Sequence, residues 1–149
     1  QFQEKKHEPE YVRNVLIGLA AIMGLLTVPF AICACVVAGT AAAGAGAVLT
    51  ALALLAWEAG SIALMQRGPA ALSQGFLVGA SLVMTALTFE TAVYWGQLAQ
   101  CDTYSGDVAL ARYSCAHRGA MRGACAFAVL IWLVQLPFVA LAVAQRHVL

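Results

Sequence analysis

Four stretches of this chain are long and apolar enough to cross a lipid bilayer, and nothing else in its 149 residues constrains the fold as tightly. A bilayer core about 30 Å thick calls for roughly 20 mostly apolar residues in a helix. The stretches run from about Val15 to Val37, Gly46 to Met65, Leu72 to Trp95 and Gly123 to Ala144. Inside hydrocarbon every backbone N–H and C=O must be satisfied within its own segment, so each stretch is predicted to be an α-helix. Composition agrees. Hydrophobic residues make up 62% of the chain, charged residues 10%, and mean hydropathy is +0.84, whereas a soluble domain is about half apolar and a quarter charged.

The expected fold is therefore all-α: an integral membrane four-helix bundle, one four-span domain over residues 1–149, with both termini on the same side. The first two spans are joined by the uncharged GTAAAGAG. The next two are joined by Gln66–Ala70, a Gly-Pro turn in which proline lacks a donor and glycine disfavours the helix. Only the outer loop, residues 96–118, leaves room for ordered structure between spans. The side carrying the termini holds Lys5, Lys6, Arg13, Arg67 and Arg146, and the other holds Arg112, Arg118 and Arg122. The positive-inside rule places the termini in the cytoplasm. Tyr94 and Trp95 are expected in an aromatic belt at the outer boundary, with Tyr11 at the inner one. A net charge of +1 without a basic block offers nothing to nucleic acid. The chain opens on Gln1, and Gln1–Glu10 has no apolar run, so a leader removed before this point stays an open reading.

Glu58 and Glu90 are the residues most in need of explanation, because a charged side chain at the centre of a spanning helix costs about 2.5–3.5 kcal/mol on insertion scales. Gly75, Gly79, Val83, Ala86, Glu90, Tyr94 and Gln97 recur at helical spacing along one face of the third span. Small residues let helix backbones approach closely, so Gly75, Gly79 and Ala86 are read as a helix-packing face, with Glu90 pointing into protein. Glu90 lies roughly 8 Å inside the outer boundary at 1.5 Å per residue. Arg122, or failing that Arg118, is its expected ion-pair partner. Glu58 lies deeper, about 18 Å from the outer end of its helix. With no basic residue at its depth, it is expected to be protonated and to donate to a neighbouring helix; Ala51, Ser61 and Met65 share its face. The competing reading makes the two acids a proton or cation relay, although their depths differ by about 10 Å.

Cys101 and Cys115 bracket the outer loop. On an oxidising side a disulfide between them would close a loop of about 15 residues, worth roughly 3 kcal/mol in the chain-entropy model. Cys33, Cys35 and Cys125 lie within spans and are read as small packing residues. Pro29 and Pro137 each remove a donor inside a span, freeing the carbonyls of Leu25 and Leu133, and are read as static bends rather than hinges. His7, His117 and His147 fall outside the spans, which argues against haem ligation within the bundle. The grouping of His117, Cys115 and Asp107 lacks metal-ligand spacing. No catalytic motif, metal site or cofactor is assigned.

Four spans with short ends and cysteines in the second outer loop resemble the layout of MARVEL-domain tetraspan proteins. The last segment is the most similar: Cys115, then HRGAMRGAC leading into AFAVLIWLVQLPFVALAVAQ. An acid late in the third span, here Glu90, also occurs in that family. The plain first loop departs from many members, and the W…C…C pattern of claudins is lacking. The resemblance implies a non-enzymatic role in organising membrane domains or assemblies, with membrane lipids, further copies or other membrane proteins as partners, in the plasma membrane or vesicles. Two alternatives stand beside it. One is an accessory subunit of a larger membrane complex, in an organelle inner membrane if a leader is removed. The other is a small proton-coupled transporter built on Glu58 and Glu90.

Overall fold

A computed structural model describes residues 4–39, 41–67, 71–100 and 115–144. They form four long α-helices: α1 (Glu4–Val36), α2 (Ala41–Arg67), α3 (Ala71–Leu98) and α4 (Arg118–Ala144). Each is long and apolar enough to cross a membrane. The protein is an all-α, membrane-spanning four-helix bundle.

The helices outrun the apolar stretches that announce them. α1 begins at Glu4 rather than near Val15, because Glu, Lys and Glu are good helix formers outside hydrocarbon too. α2 takes in most of the first connection. Its opening AAAGAGA is alanine-rich, and alanine has the highest helix propensity of all residues. α4 starts five residues early, at Arg118. The two prolines within the apolar spans sit inside continuous helices, Pro29 in α1 and Pro137 in α4. Leu25 and Leu133, whose carbonyls they deprive of a donor, are on exposed faces.

α4 packs along both α1 and α3, α1 also packs along α2, and α2 meets α3 only lightly. Around the bundle the order is therefore α2, α1, α4, α3, with a shallow seam closing the ring. Two close approaches hold α4 in place. A Cβ at Gly123 would lie 3.0 Å from Cys33 Sγ on α1, and one at Gly96 on α3 would lie 3.3 Å from Cys125 Sγ on α4. Cys125 also donates to the Ala92 carbonyl at 3.3 Å. These cysteines pack as small apolar groups against glycine. The outer ends of α3 and α4 are further joined where Arg118 Nε donates to the Ala99 carbonyl at 3.2 Å, a cation at a helix C-terminus.

Large apolar side chains lie on both the inward and the outward faces, and the inward ones also take in small hydroxyl side chains. α1 turns Leu16, Ala20, Met23, Thr27, Phe30 and Ala34 inward, and Ile22, Leu25, Val28 and Ile32 outward. α3 buries Leu77, Ser81, Met84, Thr88, Ala92, Trp95 and Ala99. Trp95 is thus a core residue, 1% exposed, and not part of an aromatic belt. Its ring meets Tyr94 edge-on at 5.5 Å, and Tyr94 is the one that faces out.

Candidate functional site

The buried face of α3 settles where Glu90 points. Positions 88 and 92 face the core, and each lies two residues, about 200° of helix rotation, from position 90. Glu90 is accordingly exposed, together with Gly75, Gly79, Val83 and Ala86. A Cβ at Gly75 or Gly79 would meet nothing within 4 Å. The small-residue stripe is therefore not the face that α3 uses inside the bundle, and Glu90 does not point into it. The ion pair expected with Arg122 or Arg118 does not form either: among the described residues Glu90 has no ion pair. The helix rotation again explains this. Glu90 lines a groove on the α2–α3 seam with Gly46, Ala47, Thr50, Leu87, Thr91 and Tyr94. Arg122 and Arg118 line a recess on the opposite, α3–α4 side, with Gly96, Ala99 and Gln100.

Glu58 is buried, 3% exposed, with Ala51, Ser61 and Met65 buried on the same face of α2. Its Oε2 lies 3.6 Å from where a Cβ would sit on Gly24 of α1, so that glycine makes room for the carboxyl group. Thr27 Oγ1 is 2.6 Å from Glu58 Oε1 and 2.9 Å from the Met23 carbonyl of its own helix. Most other buried hydroxyls bond only to their own helix, as Ser61 does to the Glu58 carbonyl and Thr88 to Met84. Thr27 does that and also reaches across to α2.

Among the described residues, four buried side-chain atoms make no hydrogen bond: Trp57 Nε1, Glu58 Oε2, and Gln135 Nε2 and Oε1. Gln135 is 2% exposed on α4. The Trp57 ring meets Phe138 of α4 edge-on, with centroids 6.3 Å apart, and Gln135 precedes Phe138 by one turn on the same face. Buried polar side chains thus come from three helices in the middle of the bundle: Thr27 from α1, Trp57 and Glu58 from α2, and Gln135 from α4. Of these the sequence reading singled out Glu58 alone. The test that flagged the acids, a strongly polar side chain inside an apolar run, also applies to Gln135 in LIWLVQLPFVAL.

The two acids do not face a common space. Glu58 points into the bundle, and Glu90 lies in the outward groove beside Thr50. Thr50 and Glu58 are eight residues apart on α2, which puts the acids at depths roughly 12 Å apart.

Cys33, Cys35 and Cys125 are free thiols. Cys115 is not among them, while Cys101 lies outside the described residues, as do Asp107, Arg112, Arg146 and His147.

The fold and this polar interior define a class, the membrane-spanning all-α bundle of four helices. Comparison with family models, with curated proteins and with solved structures finds no match.

Proposed function

We propose that this chain is a non-enzymatic tetraspan protein that organises membrane assemblies, using the outward face of α3 as its lateral contact surface. The observation that carries this reading is the position of Glu90. A carboxylate on an outward face within a spanning helix is unfavourable in lipid, and a partner that covers it relieves that cost. Gly75, Gly79 and Ala86 continue the same face and leave open space above the backbone, as a close helix contact needs. Weak packing of α2 on α3 adds a groove beside it, wide enough to admit a neighbour's side chains or a lipid headgroup. The MARVEL-like layout points in the same direction. A plasma or vesicle membrane with cytoplasmic termini, and a disulfide between Cys101 and Cys115, belong to this reading; Cys115 not being a free thiol supports the second.

The accessory-subunit reading uses the same surface with a different occupant, since a cationic residue on a foreign helix would serve Glu90 equally well. The relay reading draws less support, because the two acids face different spaces.

The test is native mass spectrometry of the protein extracted gently from its own membrane, alongside Gly79→Leu and Glu90→Gln. The proposal expects homo-oligomers with retained lipid, reduced mainly to monomers by Gly79→Leu. A fixed stoichiometry with unrelated subunits would transfer the surface to the accessory-subunit reading. Monomers throughout, with no lipid retained, would overturn both.

A further inference from the structure

We propose that the interior between Trp57, Glu58 and Gln135 is a binding site for water, which bridges α2 to α4 across the diagonal of the bundle. An unsatisfied buried polar group costs about 1–3 kcal/mol, and these three side chains carry four such atoms. They are close in depth as well as in burial. Gly123 of α4 packs on Cys33 of α1, and Glu58 packs on Gly24, nine residues nearer the start of α1. Gln135 is twelve residues along α4 from Gly123, in the antiparallel direction. Counting rise along straight helices, from the Gly24–Glu58 contact or from the Trp57–Phe138 ring contact, Gln135 lies within about four residues, roughly 6 Å, of Glu58 in depth.

The kinds of orphan atom select the ligand. Trp57 Nε1 and Gln135 Nε2 are donors, and Gln135 Oε1 is an acceptor. A metal cation would satisfy acceptors only, and an anion donors only. A neutral molecule that both donates and accepts serves all of them, and water, with its usual three or so hydrogen bonds in protein interiors, is the smallest that does.

The Thr27 contact defines the state of Glu58 at such a site. The Thr27 hydroxyl has one proton, yet two oxygens lie within hydrogen-bond range of it. With Glu58 as the neutral acid, its O–H donates to Thr27 Oγ1, and Thr27 donates to the Met23 carbonyl. When the proton is on Oε1, Oε2 is a carbonyl acceptor open to water. α2 and α4 are otherwise diagonal neighbours, with the Trp57 ring on Phe138 reaching between them. Water held here ties the bundle across that diagonal.

The experiment is water-edited solid-state NMR on the full chain in lipid bilayers, labelled with carbon-13 and nitrogen-15, together with the thermal midpoint of Gln135→Leu. The expected result is rapid transfer of water polarisation to the Glu58 carboxyl carbon and the Gln135 amide nitrogen, with little transfer to Thr88. Gln135→Leu then lowers the midpoint, because it removes a partner from the water. A direct Glu58–Gln135 cross-peak without water transfer would overturn the proposal in favour of a dry side-chain bond. Absence of both signals, with a midpoint raised by Gln135→Leu, would overturn it in favour of a dry and unsatisfied cluster.

Discussion

At the level of single residues, the glycines divide by what lies above them. Gly123 faces Cys33 Sγ so closely that an added side chain must displace it, whereas Gly75 faces open space. Overpacking a fitted contact costs about 1–3 kcal/mol. Gly123→Val is therefore expected to lower stability in detergent by about that amount, and adding Cys33→Ala should recover part of the loss by removing the obstructing sulfur. Gly75→Ala should be neutral or slightly stabilising in the monomer, since alanine is favoured over glycine inside a helix by about 0.5–1 kcal/mol. Reversible unfolding in mixed micelles measures all three. The sequence marks Gly119 and Gly123 equally as small-residue spacing, and nothing local to them reveals that only the second is covered. Cys33, ninety residues away, makes that difference. The burial of Glu58 was legible for a different reason. An acid that deep, with no cation at its level, has no tolerable place except the interior.

At the level of the helix, α3 shows where sequence patterning stops being informative. In water the apolar stripe of a helix identifies its buried face, but in lipid both faces are apolar and the contrast disappears. Two faces of α3 compete for the interior. One offers glycines and the strongly polar side chains, and the other offers Leu77, Ser81, Met84, Thr88, Ala92 and Trp95. The second is inside, because its hydroxyls bond back to their own helix and ask nothing of their neighbours, as Ser81 does to Val78 and Thr88 to Met84. It also carries Trp95, the largest fully buried side chain in the chain's described residues. Removing a buried aromatic costs about 3–5 kcal/mol, so Trp95→Ala should lower stability by roughly that much. Tyr94→Ala should have little effect on the isolated protein, because Tyr94 is 42% exposed. If the two adjacent substitutions prove equally damaging in micelles, the assignment of α3's inner face is wrong. Helix existence and number were readable from apolar length alone, since a continuous apolar run of some 20 residues is far longer than a barrel strand and satisfies its backbone in hydrocarbon as a helix. Rotation about the helix axis was not.

At the level of the whole molecule, the even number of spans couples two expectations that would otherwise be separate. The antiparallel packing seen at Gly123–Cys33 and Gly96–Cys125 puts Gly39, the end of α3 and the start of α4 at one end of the bundle. Arg67 is then at the other end, with the start of α1. A stable disulfide between Cys101 and Cys115 requires the first end to face an oxidising compartment. In the proposed orientation the second end, with its excess of Lys and Arg, is the cytoplasmic one. Both statements concern one orientation, and the disulfide persists only if that orientation holds. In a background lacking Cys33, Cys35 and Cys125, an impermeant maleimide applied to intact cells should label Gly39→Cys and spare Arg67→Cys. In the same cells Cys101 and Cys115 should resist alkylation until reduced. Reduction should then lower the stability of the purified protein by roughly 3 kcal/mol, the chain-entropy value for a loop of about 15 residues. Labelling at position 67 from outside would put the outer loop in the cytosol, where such a bond does not persist, and free thiols should then be found at both positions. Labelling at position 39 with free thiols at 101 and 115 would break the coupling, because the orientation would stand without the disulfide that an oxidising compartment permits.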